Sequence, residues 1–184
     1  MHTKSDLVPV VGPGRSPMAT SLCSFCEPGD KVLFIDNGYW GRYPAEVMAP
    51  HYKIKPILLS LDVHRPMDLD SIEKTLREES DIKAIHAVHV KTEIGAINPI
   101  KQIGELVQQH APDALYIVDS ASTFPGNLLE VDKWNIDVDY FVSLKGFNGP
   151  YGLNFLSVNE KAWSVMKEFE NIGYRMYKWP HKFE

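Results

Sequence analysis

Two short stretches carry residues able to do chemistry together. Tyr116-Ile117-Val118-Asp119-Ser120-Ala121-Ser122 reads as an apolar strand that ends on a carboxylate. Ser143-Leu144-Lys145-Gly146 reads as a second strand end and presents an amine. An acid and an amine at the carboxyl ends of two strands of one α/β sheet can face the same crevice. Pyridoxal phosphate chemistry needs such a pair: a lysine to form the Schiff base and an aspartate against the pyridine nitrogen. The same residues also read as a helix-capping aspartate and a solvated lysine. These two stretches alone leave both readings open.

The elements that must position this pair alternate along the chain. Leu7 to Val11 is a short buried strand, followed by the turn Gly12-Pro13-Gly14-Arg15-Ser16 and a helix from Pro17 to Cys26. Glu27-Pro28-Gly29-Asp30 stops that helix. Lys31 to Asp36 is the next strand, and Tyr39 to roughly His51 is a helix with Pro44 in its first turn. Lys55 to Leu61 is a third strand. Asp68 to Glu79 is an amphipathic helix with Leu69, Ile72 and Leu76 on one side. Lys83 to Val90 is a strand, and Asn98-Pro99 opens a helix that ends near His110. Strands follow at Ala114 to Asp119, Asp139 to Ser143 and Leu153 to Val158, and Asn159 caps a helix through about Phe169. This alternation predicts a three-layer α/β/α sandwich: a mostly parallel sheet with helices on both faces. The link Gly149-Pro150-Tyr151-Gly152 is too short for a helical crossover, so the strand Leu153 to Val158 is expected to run antiparallel.

The 184 residues suffice for one domain with a sizeable core. Hydrophobic content of 44% and charged content of 23% are those of a soluble globular chain. A net charge of −5 argues against a nucleic-acid partner, and no apolar run is long enough to cross a bilayer. Met1 to Asp6 is polar and lacks the apolar core of a signal peptide, so a cytoplasmic location is expected, although a missing N-terminus could carry a targeting signal. Cys23 and Cys26 have the spacing of a redox pair, but they share a helix face and are expected to be reduced, buried thiols. The histidines form no zinc cluster with them.

Three further strand ends add to the pair. Gly12-Pro13-Gly14-Arg15, between a strand and a helix, offers backbone N–H groups and a helix dipole to a phosphate; an ordinary strand-to-helix turn would look the same. Trp40, just past Asp36, can stack on a flat heteroaromatic ring or simply cap the sheet. Thr92 offers a hydroxyl past another strand end, and Ala121 is small enough to lie against a ring face.

These motifs together resemble the fold-type I pyridoxal phosphate enzymes, and among them the class V aminotransferases typified by alanine–glyoxylate and serine–pyruvate aminotransferase. The matching residues are Gly12-Pro13-Gly14-Arg15, E-P-G-D at 27–30, N-G-Y-W-G at 37–41, K-T-E-I-G-A-I-N-P at 91–99, V-D-S-A-S at 118–122 and S-L-K-G-F-N-G-P-Y-G at 143–152. They fall in the family's order over most of the chain. The resemblance implies that Lys145 is the Schiff-base lysine and Asp119 the partner of the pyridine nitrogen. It implies Trp40 on one ring face with Ala121 below the other, and Gly14 and Arg15 as phosphate donors. It places Thr92 near the ring's phenolic oxygen and Ser143 beside the phosphate segment. His89, close to this cluster, reads as structural.

Two residues depart from the family. Leu144 stands where relatives often carry a polar phosphate contact, and Pro13 has no N–H to donate. The resemblance also implies that residues 1–173 are an N-terminally shortened cofactor-binding large domain. Residues 174–184 would start the connection to an absent C-terminal small domain, which in relatives carries the arginine for the substrate carboxylate. The expected reaction is transamination between a small amino acid, of alanine or serine type, and a 2-oxo acid such as pyruvate or glyoxylate. The complete protein is expected to be a homodimer, and this chain alone inactive or nearly so. Two alternatives share the scaffold: a lyase or cysteine desulfurase, and an inactive truncated cofactor-binding fragment. A desulfurase would need a reactive cysteine on a later loop, and none follows Cys26.

Overall fold

Residues 3–168 are described by the computed structural model. The first strand, β1 (Asp6–Val11), leads through the glycine turn into α1 (Ser16–Phe25), which has Pro17 in its first turn and is buried on every side. Strand β2 (Lys31–Asp36) follows, its interior residues fully inaccessible. The next helical stretch is α2 (Tyr39–Tyr43), a wide π turn (Pro44–Met48) and α3 (Ala49–His51). Pro44 thus lies past the first turn rather than in it. Its ring clashes with the carbonyl four residues back and it has no N–H, which opens the helix there.

Strand β3 (Lys55–Ser60) precedes α4 (Leu69–Glu78), whose N-cap Asp68 accepts the Ser71 N–H. Strand β4 (Ile82–Val88) is followed by a small hairpin of β5 (Val90–Lys91) and β6 (Ala96–Ile97). The remaining elements are α5 (Ile100–His110), β7 (Leu115–Asp119), β8 (Val138–Val142), β9 (Leu153–Val158) and α6 (Glu160–Glu168). Asn159 caps α6 by accepting the Ala162 N–H at 2.9 Å. Phe169 and the stretch 174–184 lie outside the described residues, as does the expected domain end at residue 173.

Seven strands pair in the order β1-β9-β8-β7-β4-β2-β3. Only β9 opposes the others: it pairs antiparallel with both β8 and β1, as the short link before it predicts. Period-two alternation splits the core between two faces. Val32, Phe34, Leu115, Ile117, Val138 and Tyr140 pack with α1 and α6. Leu33, Ile35, Ile85, Tyr116 and Val118 pack with α4 and α5 on the other side. The three-layer sandwich with one antiparallel strand is therefore present. Among the described residues no helix is long and apolar enough to cross a membrane. Cys23 and Cys26 are buried and unbridged, and burial pushes the Cys26 thiol far up.

The chain moves outward from β2 to β3 and returns to β4 on β2's other side. Such a reversal opens a crevice at the carboxyl ends of the strands. Gly41 sets how closely α2 approaches that crevice, because a Cβ there would collide with the Ile35 carbonyl. Gly41→Ala is expected to destabilise the chain by about 1–3 kcal/mol through overpacking. Urea midpoints check this, and a midpoint equal to the parent's would show that α2 can lift from β2 without loss.

Candidate functional site

Four of the strand ends named from sequence converge. The turn after β1 is shaped by Gly12, whose φ of 145° puts it where a Cβ is rarely accepted and would strike the Ser16 side chain. Its N–H donates to the Gly152 carbonyl at 2.9 Å. From β9, the buried Asn154 amide donates to the carbonyls of Val10 (3.2 Å), Gly12 (2.9 Å) and Pro13 (3.4 Å). The turn is thereby held open toward the start of α1, where Gly14 and Arg15 lie. The Arg15 guanidinium stands 4.8 Å from the Tyr43 ring centre and 5.8 Å from that of Trp40. Trp40 is itself fixed edge-on by Tyr39 at 4.9 Å and by Tyr43 at 5.9 Å.

Asp119 closes β7 with 6% of its surface exposed. Its Oδ1 accepts the Ala121 N–H at 2.9 Å, and its Oδ2 accepts the Tyr140 hydroxyl at 3.1 Å. Burial pushes the Asp119 carboxyl up. The two hydrogen bonds and the Lys145 charge oppose that rise without cancelling it. Lys145 follows β8 on an exposed loop. Its Nζ donates to Ser122 Oγ at 2.8 Å and stands 5.6 Å from the Trp40 ring centre. Ser122 lies three residues past Asp119, so the loop that carries the acid also orients the amine.

These groups line one cavity of about 440 Å³. Its walls include Gly14, Arg15, Trp40, Asp119, Ala121 and Lys145, with Tyr140, Val142 and Leu144 among the rest. Thr92 and Ser143 do not line it. Thr92 is exposed in the turn between β5 and β6, and the buried Ser143 hydroxyl is donated to the Pro150 carbonyl. Arg42 is engaged by the buried Asp36, at 2.9 Å. His89 is buried and paired through Nδ1 with the Thr123 hydroxyl at 2.9 Å, and burial lowers its pKa.

Tyr140, Ser122, Tyr43 and Asn154 belong to this site and were not singled out from sequence. Alternation in β8 puts Tyr140 on the face of Val138 and Val142, which is the signal that was there to use. On the other face of β8 lies Asp139. It is wholly inaccessible, accepts the Ser120 hydroxyl at 2.8 Å, and has an Oδ1 without a partner.

A second, larger cavity of about 590 Å³ lies at the opposite end of the sheet, around Asp137 and Lys161. Its central charges already satisfy one another. Asp137 accepts from the Tyr116 N–H, the Asn159 amide and Lys161 at 2.8, 2.8 and 3.2 Å. The smaller cavity instead holds an amine, a buried acid and an aromatic face on separate loops, at the strand ends where α/β sheets bind ligands.

The sequence profile of the family described as Aminotransferase class-V matches residues 15–181. An uncharacterized aminotransferase of Methanocaldococcus jannaschii is 37% identical over 94% of this chain and 44% of its own length. The alanine–glyoxylate aminotransferase of Mus musculus is 32% identical over 88% of this chain and 38% of its own. Among solved structures, ureidoglycine–glyoxylate aminotransferase from Bacillus subtilis superposes with a TM-score of 0.83 at 30% identity, over 90% of this chain and 42% of that one. The chain thus spans less than half the length of these relatives.

Proposed function

The chain belongs to the class V aminotransferases, and we propose that it is the cofactor-binding portion of a pyridoxal phosphate-dependent transaminase. The reaction proposed moves an amino group from a small amino acid, of alanine or serine type, to a 2-oxo acid of pyruvate or glyoxylate type. The names of the mouse and Bacillus subtilis relatives support glyoxylate-type acceptors. The complete protein would act as a homodimer, as the resemblance implies. The observation that carries the reading is the convergence of Lys145, Asp119 and Trp40, from three strand ends, on one cavity.

The donor set of that cavity fits the cofactor. Asp119 would face the ring nitrogen, Trp40 one ring face and Ala121 the other. Gly14 and Arg15, at the start of α1, would meet the phosphate, and Lys145 would hold the aldehyde carbon. When bound, pyridoxal phosphate supplies a sink for the electron pair left as the substrate Cα loses its proton.

The rest is done by the chain. Asp119, held by two donors, keeps a negative charge where a protonated ring nitrogen needs one. The α1 N-terminus offers backbone N–H groups, and the Arg15 guanidinium adds a charge-assisted contact for the phosphate. Trp40, braced by Tyr39 and Tyr43, gives a rigid apolar wall that excludes water. The Lys145 amine, held near that wall by Ser122, takes and returns the proton at the substrate Cα. Thr92 and Ser143 have no direct part in this reading.

Asp119→Asn tests it. In the complete protein the variant is expected to keep the fold while weakening pyridoxal phosphate binding and slowing Cα-deuterium washout from L-alanine by orders of magnitude. An Asn variant that binds and exchanges at the parent's rate would reduce Asp119 to a structural acid.

A further inference from the structure

A line of polar groups runs from Asp119 into the otherwise apolar face of the sheet. Asp119 on β7 is directly opposite Tyr140 on β8, and the Tyr140 hydroxyl meets Asp119 Oδ2 at 3.1 Å. The same hydroxyl meets Nε2 of His86, on β4, at 2.9 Å. His86 reaches it across β7, with the two rings stacked at 6.1 Å between centres and Phe34 at 5.8 Å from the imidazole. His86 has no exposed surface, and its Nδ1 has no hydrogen-bond partner. The line therefore ends blind in the core and opens only at Asp119.

Proton positions along this line follow from the chemistry of each group. An ionised carboxylate only accepts, so the single hydroxyl hydrogen of Tyr140 goes to Asp119. The phenol oxygen is left to accept from His86, so Nε2 carries the ring proton and Nδ1 is bare. A hydroxyl that is itself accepting is a stronger donor. Burial holds the imidazole neutral, pushing its pKa down to about 3, so the line carries no second charge. The titratable groups near Asp119 are Lys145, which favours its ionised form, and Asp139, whose carboxyl is pushed up by burial and partly by Asp119. Two phenylalanine-sized apolar side chains would fill this space without polar atoms. What the phenol and imidazole add is a directed donor on Asp119.

We infer that Tyr140, oriented by the Nε2–H tautomer of His86, is a positioning residue that keeps Asp119 ionised and aimed into the cavity. The inference rests on the reading of Asp119 as the partner of the cofactor's ring nitrogen.

Three measurements on the 184-residue chain test it. Ring nitrogen NMR of His86 without cofactor should show a bare Nδ1 and a protonated Nε2 around neutral pH. Carboxyl carbon NMR should show the Asp119 midpoint rise by about one pH unit in Tyr140→Phe, because a hydrogen bond to the charged form is lost. In His86→Leu a smaller rise in the same direction is expected, and that variant decides the matter if Tyr140→Phe does not fold. Pyridoxal phosphate affinity should fall in Tyr140→Phe by up to about tenfold, most strongly at pH values between the parent and variant Asp119 midpoints. A protonated Nδ1, or an unmoved Asp119 midpoint in the folded variants, overturns the inference. If Asp119→Asn weakens cofactor binding while Tyr140→Phe and His86→Leu match the parent, the inference falls and the site reading stands. If Asp119→Asn itself binds as the parent does, both fall.

Discussion

Lys145→Ala should fold as the parent does and hold no cofactor that borohydride can fix to the chain. The side chain is exposed on the loop after β8, and Ser122 Oγ is its hydrogen-bond partner, so truncation should move stability by no more than about 0.5 kcal/mol. Its chemistry has no substitute nearby. Among the described residues, Lys145 is the only lysine in the cavity wall. The buried Lys91 has its amine committed to the carbonyls of Arg65 and Val63, at 2.6 and 3.4 Å. In the complete protein, proton transfer at the substrate Cα should fall by roughly 10²–10⁴-fold even if cofactor is added in excess. Borohydride reduction followed by peptide mass analysis checks the first part, and deuterium washout checks the second. A reduced adduct on another lysine, with washout retained, would move the site.

Asp139→Asn should change how stability depends on pH. The native carboxyl is pushed from 3.8 to about 8, by burial first and by nearby Asp119 next, against the pull of the Ser120 hydroxyl. The folded chain thus binds this proton more tightly than the unfolded one. The resulting stabilisation is complete below the ordinary carboxylate range and is lost as pH rises from about 4 through about 8. Over that window the loss is on the order of 5 kcal/mol. An asparagine is neutral throughout and keeps an acceptor for Ser120. Ser157, directly opposite on β9, has a buried hydroxyl without a partner and lies within the same strand pair as the new amide. Urea midpoints near pH 6 and near pH 9 should therefore differ for the parent and nearly coincide for the variant. Parallel decline in both would assign the pH dependence to other groups.

What was legible from sequence follows from range along the chain. The antiparallel β9 could be read because the stretch from Val142 to Leu153 is too short for a helical crossover. That Asp119 and Lys145 lie at strand ends could be read from the apolar runs before them, whereas their roles came from the resemblance. His86 and Tyr140 could not be paired in this way. Their contact depends on β7 lying between β4 and β8, and strand order is not written in any local pattern. Asn154 escaped for the same reason, since its partners are at the other end of the chain. Ser143 and Thr92 carry the right atoms in the right order. Their orientation is set by the Pro150 carbonyl and by the β5–β6 turn, which spacing alone does not specify.

The seating of β1 has a consequence for how the molecule assembles. In the sheet β1 touches only β9, and the Asn154 amide reaches Val10 across 144 positions of chain. Closing so long a loop carries a large entropy cost that no local contact offsets in advance. β2, which leads into Trp40, and β7, which ends on Asp119, can join through β4 before β9 exists, but the turn that presents Gly14 and Arg15 lacks its Gly152 and Asn154 partners until then. Although β1 precedes the other strands described, it therefore joins the sheet only after β9. The anion-binding end of the cavity is completed only when β9 arrives, so capture of a phosphate there would report the seating of β1 on β9.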